Sequence, residues 1–340
     1  GKDLAPALER MSANPSIAIL TESTSNTFGP TFNPCIDRMI DSLPADNERF
    51  RPDLIVTIGH SIISKKIKAL LRTWKSDHWH IGPEEQDTFF SLSRCLKADP
   101  RSVLAWLSGL SSQPSDFGRT WKQQDLQTQQ AHFHYLQQAP FSDLTVFQLL
   151  NDLIPDFANL QMGNSSVVRY FQLFDPVNSL LYNANRGVSG IDGSLSTAVG
   201  AAFVNGKEDV PTYCVLGDLS FVYDSNGLWN NHLDPNLRII VINNQGGGIF
   251  RIIPGPKDSG HLEEHFDAHV PVNIKALCAT YNVHHSLVDS EEGILDSFLE
   301  FAAPSDRPKV LEIVTDKAQN DTVLMDYFKH IKQHIHEQNT

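Results

Sequence analysis

The sequence predicts an α/β protein with two doubly wound parallel sheets, each covered by helices on both faces in a three-layer arrangement. Short apolar runs alternate with amphipathic segments along the chain, a pattern typical of strands joined by crossover helices. The 340 residues, of which 41% are hydrophobic, supply enough apolar side chains for two such domains. We therefore expect two parallel-sheet domains joined by a linker.

The first alternating series predicts a Rossmann-like domain over residues 1–112. Its strands are predicted at 16–20, 53–59, 78–81 and 89–95, and its helices at 34–40, 64–74 and 101–110. Residues 113–141 are rich in glutamine and poor in aliphatic side chains, which predicts a polar, partly helical connector.

The second alternating series predicts another doubly wound domain over residues 142–340. Its regular segments are predicted at 145–154, 158–162, 166–174, 180–183, 193–204, 213–216, 238–244, 309–315 and 320–336. Ligands of such sheets bind beyond the carboxyl ends of the strands, so the residues that follow these strands are the candidates for a site.

Composition excludes several classes of function. A formal net charge of -13 argues against a broad nucleic-acid or anionic-membrane surface, which would need a basic face. No run approaches the roughly 18 apolar residues of a membrane span, and no basic segment followed by an apolar run opens the chain, so we expect a cytoplasmic protein. Cys35, Cys95, Cys214 and Cys278 form no CxxC pair, which indicates neither a zinc site nor a disulfide framework.

Polar residues follow two consecutive predicted strands of the second domain. Gly217-Asp218 ends the first strand, and Asn243-Asn244 ends the second. Parallel strands place these ends side by side, where a carboxylate and a carboxamide could share one Mg²⁺ ion. We expect Asp218, the Asn244 side-chain oxygen and a backbone carbonyl at Gly246 to be the metal ligands.

Glycines around these residues predict an adjoining diphosphate site. Gly217 allows the backbone to approach an anion closely, and a helix beginning near Ser220 offers free N–H groups to it, with Leu219 between them. The run Gly246-Gly247-Gly248 supplies a second loop of close approach.

A Gly-Asp pair, about 25 further residues and an Asn-Asn pair together resemble the signature of thiamine-diphosphate enzymes. The resemblance implies a bound thiamine diphosphate with Mg²⁺ or Mn²⁺, held by Asp218, Asn244 and the carbonyl of Gly246. It also implies that the two domains are the middle domain and the diphosphate-binding domain of that family.

Three blocks narrow the resemblance to the 2-succinyl-5-enolpyruvyl-6-hydroxy-3-cyclohexene-1-carboxylate synthase family of menaquinone biosynthesis. They are residues 163–169, 185–193 and 243–250, with departures at Gln245 and Arg251. The resemblance implies a transferase that decarboxylates 2-oxoglutarate and joins the remaining carbons to isochorismate. It also implies a homo-oligomer in which a second copy of the full-length subunit supplies the pyrimidine-binding domain.

Arginines are the candidates for binding these polyanionic substrates, because a guanidinium pairs with a carboxylate through two parallel hydrogen bonds. Arg169, on a helix that opens with Ser165, and Arg186, in a glycine-flanked turn, are the first choices. For each, an ordinary surface ion pair is the alternative. Lys65 and Lys66 are weaker candidates, because a lysine pair early in a helix is usually a solvated face.

Apolar candidates complete the site. Ile249, Phe250 and Ile253 would form a wall beside the substrate or the thiazolium ring, although an ordinary core role is nearly as plausible. By resemblance, Ile191, next to Gly190, is the bulky residue that keeps the cofactor bent.

The resemblance places the glutamate that contacts the aminopyrimidine in an N-terminal domain that we do not find in this chain. We therefore expect the chain alone to lack synthase activity. Two alternatives remain: another thiamine-diphosphate lyase, such as an acetolactate synthase or 2-oxoacid decarboxylase, and a non-catalytic nucleotide-binding module. The second lacks support, since no GxGxxG motif occurs.

Overall fold

The computed structural model describes residues 2–110, 113–246 and 272–339. The chain divides into two compact units, Gly1–Gln137 with Tyr327–Thr340, and Gln138–Asp326. Each unit contains one sheet in which the paired strands are all parallel, so the predicted α/β fold class with two parallel-sheet domains is confirmed. The domain boundaries expected from the sequence, at 112 and 141, stay a prediction.

The first unit is built on a three-stranded sheet of order β1-β2-β3. Its strands are β1 (Leu54–Ile58), β2 (Asp77–Ile81) and β3 (Leu92–Leu96). Its helices are α1 (Ala5–Ser12), α2 (Ile36–Asp41), α3 (Lys65–Trp74), α4 (Pro100–Ser108) and α5 (Phe117–Leu136). A core of Phe50, Trp74, Phe89 and Trp121 joins helices α3 and α5 to this sheet.

The strand predicted at 16–20 is wrong. The segment makes only an isolated bridge between Leu20 and Asn33. The Asn33 backbone N–H and its side-chain amide both donate to the Ile19 carbonyl, at 2.8 and 3.1 Å. The apolar run is buried in part. It pairs with the chain at a single residue, where the Asn33 side chain adds a second hydrogen bond.

Helix α5, which contains glutamine-rich sequence, buries several polar side chains. Among them are Gln124, Asp125 and His132. Asp125 accepts from Lys122 at 2.9 Å and lies 3.6 Å from the fully buried Arg38. The polar residues thus pair inside the first unit, which a pattern of aliphatic residues cannot reveal.

The second unit is built on a six-stranded sheet of order β5-β4-β6-β7-β9-β8. Its strands are β4 (Asn159–Met162), β5 (Leu181–Ala184), β6 (Thr212–Gly217), β7 (Leu237–Asn243), β8 (His284–Val288) and β9 (Lys309–Val314). Its helices are α6 (Asp143–Leu153), α7 (Ser166–Phe171), α8 (Ser194–Asn205), α9 (Asp218–Tyr223), α10 (Ile274–Thr280), α11 (Glu291–Ala302) and the first part of α12 (Lys317–Asn339). Single 3-10 turns occur in both units, at Lys2–Leu4, Ser23–Ser25, Glu48–Phe50, Gly206–Glu208 and Ser225–Leu228.

Several details of this unit differ from expectation, and helices α10 and α11 were not predicted. Helix α9 begins at Asp218 rather than near Ser220, so the carboxylate belongs to the first turn. Strand β8 was not predicted, because it is an edge strand with largely exposed or half-exposed side chains and has no apolar run.

The strand order creates a crevice at one edge of the second sheet. Strand β4 has β5 on one side and β6 on the other, so the connections that leave β4 and β5 run in opposite directions. Such a reversal is where open parallel sheets bind ligands, beyond the carboxyl ends of the strands. The loops after β4, β5, β6 and β7 therefore surround the expected site.

Among the described helices, none is both long and apolar enough to cross a lipid bilayer. The four cysteines are free thiols, and all except Cys95 are buried.

Buried His132 makes the first unit sensitive to acid. Its Nδ1 lies 2.8 Å from the Tyr327 hydroxyl, and burial, with nearby Arg38, lowers the pKa of His132 to about 2. Below pH 6.5 the unfolded chain binds a proton that the folded unit does not bind. The stabilisation is thus complete above pH 6.5 and decreases as pH falls, by up to about 1.4 kcal/mol per pH unit for this group.

Between pH 6.5 and pH 5 the free energy of unfolding should fall less in His132→Gln than in the unaltered chain, because glutamine can bond Tyr327 without titrating. Urea unfolding followed by tryptophan fluorescence measures it, since four of the five tryptophans lie in this unit. Tyr327→Phe is the control, because it removes the partner hydroxyl yet keeps the histidine and hence the pH slope. An unchanged slope in His132→Gln would contradict the assignment.

Candidate cofactor and metal site

The register of two central strands brings the predicted metal ligands to one edge of the second sheet. Strands β6 and β7 pair in parallel, with Gly217 opposite Ile242. The residues that follow, Asp218 on one strand and Asn243-Asn244 on the other, therefore leave the sheet side by side. The two strand ends that carry the predicted ligands are therefore neighbours in the sheet.

Asp218 lies half-buried at the first turn of helix α9. Its carboxylate accepts from the backbone N–H of Leu219 at 2.7 Å and from that of Gly246 at 3.1 Å. Burial raises the pKa of Asp218 to about 6 in spite of these two donors, and the nearby carboxylate of Asp143 adds to the rise. The ionised form of Asp218 would gain strongly from a nearby cation.

Asn244 is buried at the start of a tight turn. Its side-chain amide nitrogen donates to Asp143 Oδ2 at 3.0 Å. Gln245 and Gly246 follow with φ of 61° and 143°, so the turn returns toward Asp218, whose carboxylate receives the Gly246 N–H. A hydrogen bond thus joins Asp218 to Gly246, two residues after Asn244.

Asp143 supports this group and was not identified from the sequence. It is the first residue of helix α6 and is buried. Besides Asn244, its carboxylate accepts from the Thr315 hydroxyl at 2.6 Å, and its backbone N–H donates to Asn320 Oδ1 at 2.7 Å. Burial raises the pKa of Asp143, while the hydrogen bonds from Thr315, Asn244 and Asn320 oppose that rise.

Asn243 is held from the opposite side. Its amide donates to Oε1 of buried Glu312 on β9 at 2.6 Å, and its Oδ1 accepts the Gln245 N–H at 3.2 Å. His285 on β8 lies 2.7 Å from the other Glu312 oxygen. Burial alone would raise the pKa of Glu312, but the bonds from His285 and Asn243 keep it below its usual value. Both residues of the Asn-Asn pair therefore have a buried carboxylate as partner.

The other predicted cofactor contacts lie in two loops that touch each other. The Ser220 hydroxyl donates to the carbonyl of Ile191, which ties helix α9 to the loop after β5. The carbonyl of Gly190, the preceding residue, accepts from Asn164. A Cβ placed on Gly217 would meet nothing within 4 Å, so the space beside that backbone is open to a ligand.

Ser165 and Arg169 follow strand β4. Ser165 has a φ of 69° and a ψ of -120°, a conformation that glycine adopts readily and serine rarely. A guanidinium nitrogen of Arg169 donates to the Ser165 carbonyl, and its side chain remains partly exposed. The strained turn and the arginine thus form a single local unit beside the crevice.

Arg186 is positioned by Asn164, another residue whose role was not predicted. Arg186 Nη1 donates to Asn164 Oδ1 at 2.7 Å. The buried Asn164 amide in turn donates to the carbonyls of Asn185 and Gly190, at 2.8 and 2.7 Å. One asparagine after β4 therefore fixes the arginine loop after β5.

Lys65 and Lys66 lie in the first unit, on helix α3, whereas the other described candidates lie in the second. Lys66 Nζ lies 2.5 Å from Asp41 Oδ1 and 3.4 Å from the centre of the Phe328 ring. The structure thus gives Lys66 partners within its own unit. Gly247, Gly248, Ile249, Phe250, Arg251 and Ile253 lie outside the described residues.

The donor set fits a hard divalent cation. In the described ranges no group of three or more His, Cys, Asp or Glu side chains could hold a metal. Asp218 and Asn244 instead offer one carboxylate and one amide, beside the backbone of Gly246. Mg²⁺ commonly takes few protein oxygens and completes its octahedron with phosphate and water.

Curated proteins match almost the whole of this chain. The chain is 42% identical over 335 residues to the 2-succinyl-5-enolpyruvyl-6-hydroxy-3-cyclohexene-1-carboxylate synthase of Christiangramia forsetii, a match that covers 96% of this chain and 57% of that protein. This chain is a homologue of that synthase family. The synthase of the same name from Flavobacterium psychrophilum is 38% identical over 323 residues, or 93% of this chain and 58% of that protein.

The homologous synthase of Flavobacterium johnsoniae is 37% identical over 333 residues, or 95% of this chain and 59% of that protein. The resemblance inferred from the three sequence blocks is thereby confirmed. The chain spans slightly less than three fifths of the length of these curated relatives. No family model matches the chain.

We expect Asn164→Ala to loosen the arginine loop, because three buried hydrogen bonds are lost and two carbonyls are left without this donor. The free energy of unfolding should fall by about 1–3 kcal/mol. Hydrogen exchange of residues 185–192 should become faster. Asn183→Ala on β5 is the control, since Asn183 contacts Asn159 rather than this loop. Unchanged exchange in Asn164→Ala would contradict the role of Asn164.

Proposed function

We propose that this chain carries the diphosphate and metal site of a thiamine-diphosphate-dependent synthase that joins decarboxylated 2-oxoglutarate to isochorismate in menaquinone biosynthesis. The observation that carries the proposal is the grouping of Asp218, Asn244 and Gly246 at the ends of two paired central strands. The names of its homologues support the same activity. In this proposal the pyrimidine-binding domain belongs to a second copy of the longer protein.

The residues around the crevice would divide the task of holding the cofactor. Asp218, the Asn244 side-chain oxygen and the Gly246 carbonyl would hold Mg²⁺ or Mn²⁺ on the diphosphate. Gly217, Leu219 and Ser220 would lie along the diphosphate. They belong to the end of β6 and the first turn of helix α9, and a Cβ on Gly217 would meet no described residue within 4 Å.

Gly190 and Ile191 would support the bent cofactor from the loop after β5, which Ser220 and Asn164 hold in place. When bound, thiamine diphosphate supplies the carbanion chemistry of decarboxylation and carbon–carbon bond formation. The remaining contribution of the chain is positioning and electrostatic stabilisation.

Arg169 and Arg186 would pair with substrate carboxylates. Both follow strands of the crevice, and each guanidinium donates a hydrogen bond to a neighbouring oxygen, of Ser165 and Asn164 respectively. A guanidinium that is already held in this way loses less entropy when a carboxylate binds. In this proposal Gly247 and Ile249, with Phe250 and Ile253, complete the cofactor loop and the apolar wall, and Lys65 and Lys66 remain weaker candidates.

We expect thiamine diphosphate with Mg²⁺ to raise the melting temperature of the second unit. At one hundred times the dissociation constant, ligand binding adds about 2.7 kcal/mol to the stability, or roughly 5–10 °C for a unit of this size. Differential scanning calorimetry measures the shift. EDTA should abolish it, because the diphosphate would lose its bridge to Asp218.

Asp218→Asn tests the assignment, and exposed Asp296→Asn in the same unit is the matched control. The first change should remove most of the shift, and the second should leave it intact. A shift produced by NAD or FAD, with none by thiamine diphosphate, would instead support a nucleotide-binding module.

We expect 2-oxoglutarate to add a further stabilisation in the presence of the cofactor, and Arg186→Lys or Arg169→Lys to weaken it about tenfold or more, because lysine cannot form the paired hydrogen bonds. Calorimetric titration with 2-oxoglutarate measures the affinity. Arg307→Lys, an ion-paired residue near β9, is the control. Equal affinities in all three variants would show that neither arginine binds the substrate.

A further inference from the structure

The amide of Asn244 can serve a cation only if its oxygen, and not its nitrogen, faces the metal. An asparagine side chain has nearly the same shape in both orientations, so only its hydrogen-bond partners select one of them. The partner in this chain is the buried carboxylate of Asp143. The hydrogen bonds around Asp143 therefore determine the orientation of this metal ligand.

The donors and acceptors in the network around Asp143 can be assigned one after another, because the network begins at a backbone N–H, which can only donate. The backbone N–H of Asp143 donates to Asn320 Oδ1 at 2.7 Å, which turns the Asn320 amide nitrogen away. That nitrogen donates to the Thr315 hydroxyl at 3.0 Å. The hydroxyl therefore uses its proton on Asp143 Oδ1, at 2.6 Å.

The second carboxylate oxygen is then left for Asn244. Asp143 Oδ2 accepts the Asn244 amide nitrogen at 3.0 Å, and a carboxylate has no proton with which to bond the amide oxygen instead. These four hydrogen bonds form one consistent arrangement of donors and acceptors. Asn320, Thr315, Asp143 and Asn244 are buried, so water does not compete for these bonds.

We propose that Asp143 is a positioning residue that selects the metal-binding orientation of the Asn244 amide. This inference rests on the proposed function, since it concerns the same metal site. Asp143 holds the nitrogen end of the amide, and the oxygen end is presented on the other side of the side chain. Helix α6 thereby contributes to the metal site without touching the metal.

Asp143→Asn tests the inference most directly. The change keeps the shape of the side chain and should reverse the orientation of the Asn244 amide. The Thr315 hydroxyl would still donate to the remaining side-chain oxygen of residue 143. The new amide nitrogen would then face Asn244, which must offer its own oxygen in return and direct its nitrogen at the metal. We expect Mn²⁺ to bind about 10–100-fold more weakly in the presence of thiamine diphosphate, the usual effect of losing a residue that orients a metal ligand.

The exchanged pair Asp143→Asn with Asn244→Asp should restore binding. In that variant the amide of residue 143 donates to one oxygen of the carboxylate at 244, and the other oxygen is presented to the metal. A merely structural role for Asp143 would not produce this rescue. Thr315→Val is the matched control: it removes another bond to Asp143 and should lower the melting temperature, while the affinity for Mn²⁺ stays within about threefold.

The measurement is the dissociation constant of Mn²⁺ at saturating thiamine diphosphate, obtained from the electron paramagnetic resonance of the free ion, together with the melting temperature of each variant without ligand. Weak binding by the single variant and recovery in the exchanged pair support the inference. Wild-type affinity in Asp143→Asn overturns it.

The exchanged pair decides the matter if the single variant does not fold. Failure of that pair to fold, or to bind better than the single variant, also overturns the inference. If the unaltered chain binds neither Mn²⁺ nor thiamine diphosphate, the proposed function fails, and the inference fails with it. If the unaltered chain binds both and Asp143→Asn does so equally well, only the inference fails.

Discussion

The parallel pairing of β6 with β7 is the constraint on which the rest of the site depends. Because Gly217 lies opposite Ile242, the chain leaves the two strands at the same level of the sheet. A shift by one residue would reverse the faces of an entire strand and move Asp218 out of reach of the turn after β7. Both strands are almost wholly buried, so the apolar core fixes this register.

Three acidic side chains lie at this edge of an already acidic chain, and the protein stabilises each of them differently. Glu312 accepts hydrogen bonds from His285 and Asn243. Asp143 relies on neutral donors alone. Asp218 accepts from the backbone N–H groups of Leu219 and Gly246, and burial raises its pKa to about 6. Asp218 is therefore the group whose ionised form gains most from a bound cation.

Sequence patterns predicted the parts of the molecule whose signal is local. The strands before Asp218 and Asn244 are continuous apolar runs, and the dipeptides at their ends are visible by inspection. Asp143, Thr315 and Asn320 could not be found in the same way, because they are far apart in the chain and meet only after folding. Edge strand β8 was missed because it has no apolar run. The strand expected at 16–20 does not form, because the segment pairs with another part of the chain only at Leu20. A local sequence pattern cannot show whether a strand will find a partner.

The backbone at Ser165 has a consequence for how this protein could be altered. Holding serine at a φ of 69° costs on the order of 1–3 kcal/mol, which glycine would recover almost completely. A programme of directed evolution that rewarded heat resistance alone would favour glycine at this position. The hydroxyl beside the crevice would then be lost, because the folded protein would be more stable without it. At Ser165, therefore, a gain in stability and the loss of a hydroxyl at the candidate site would come from the same substitution.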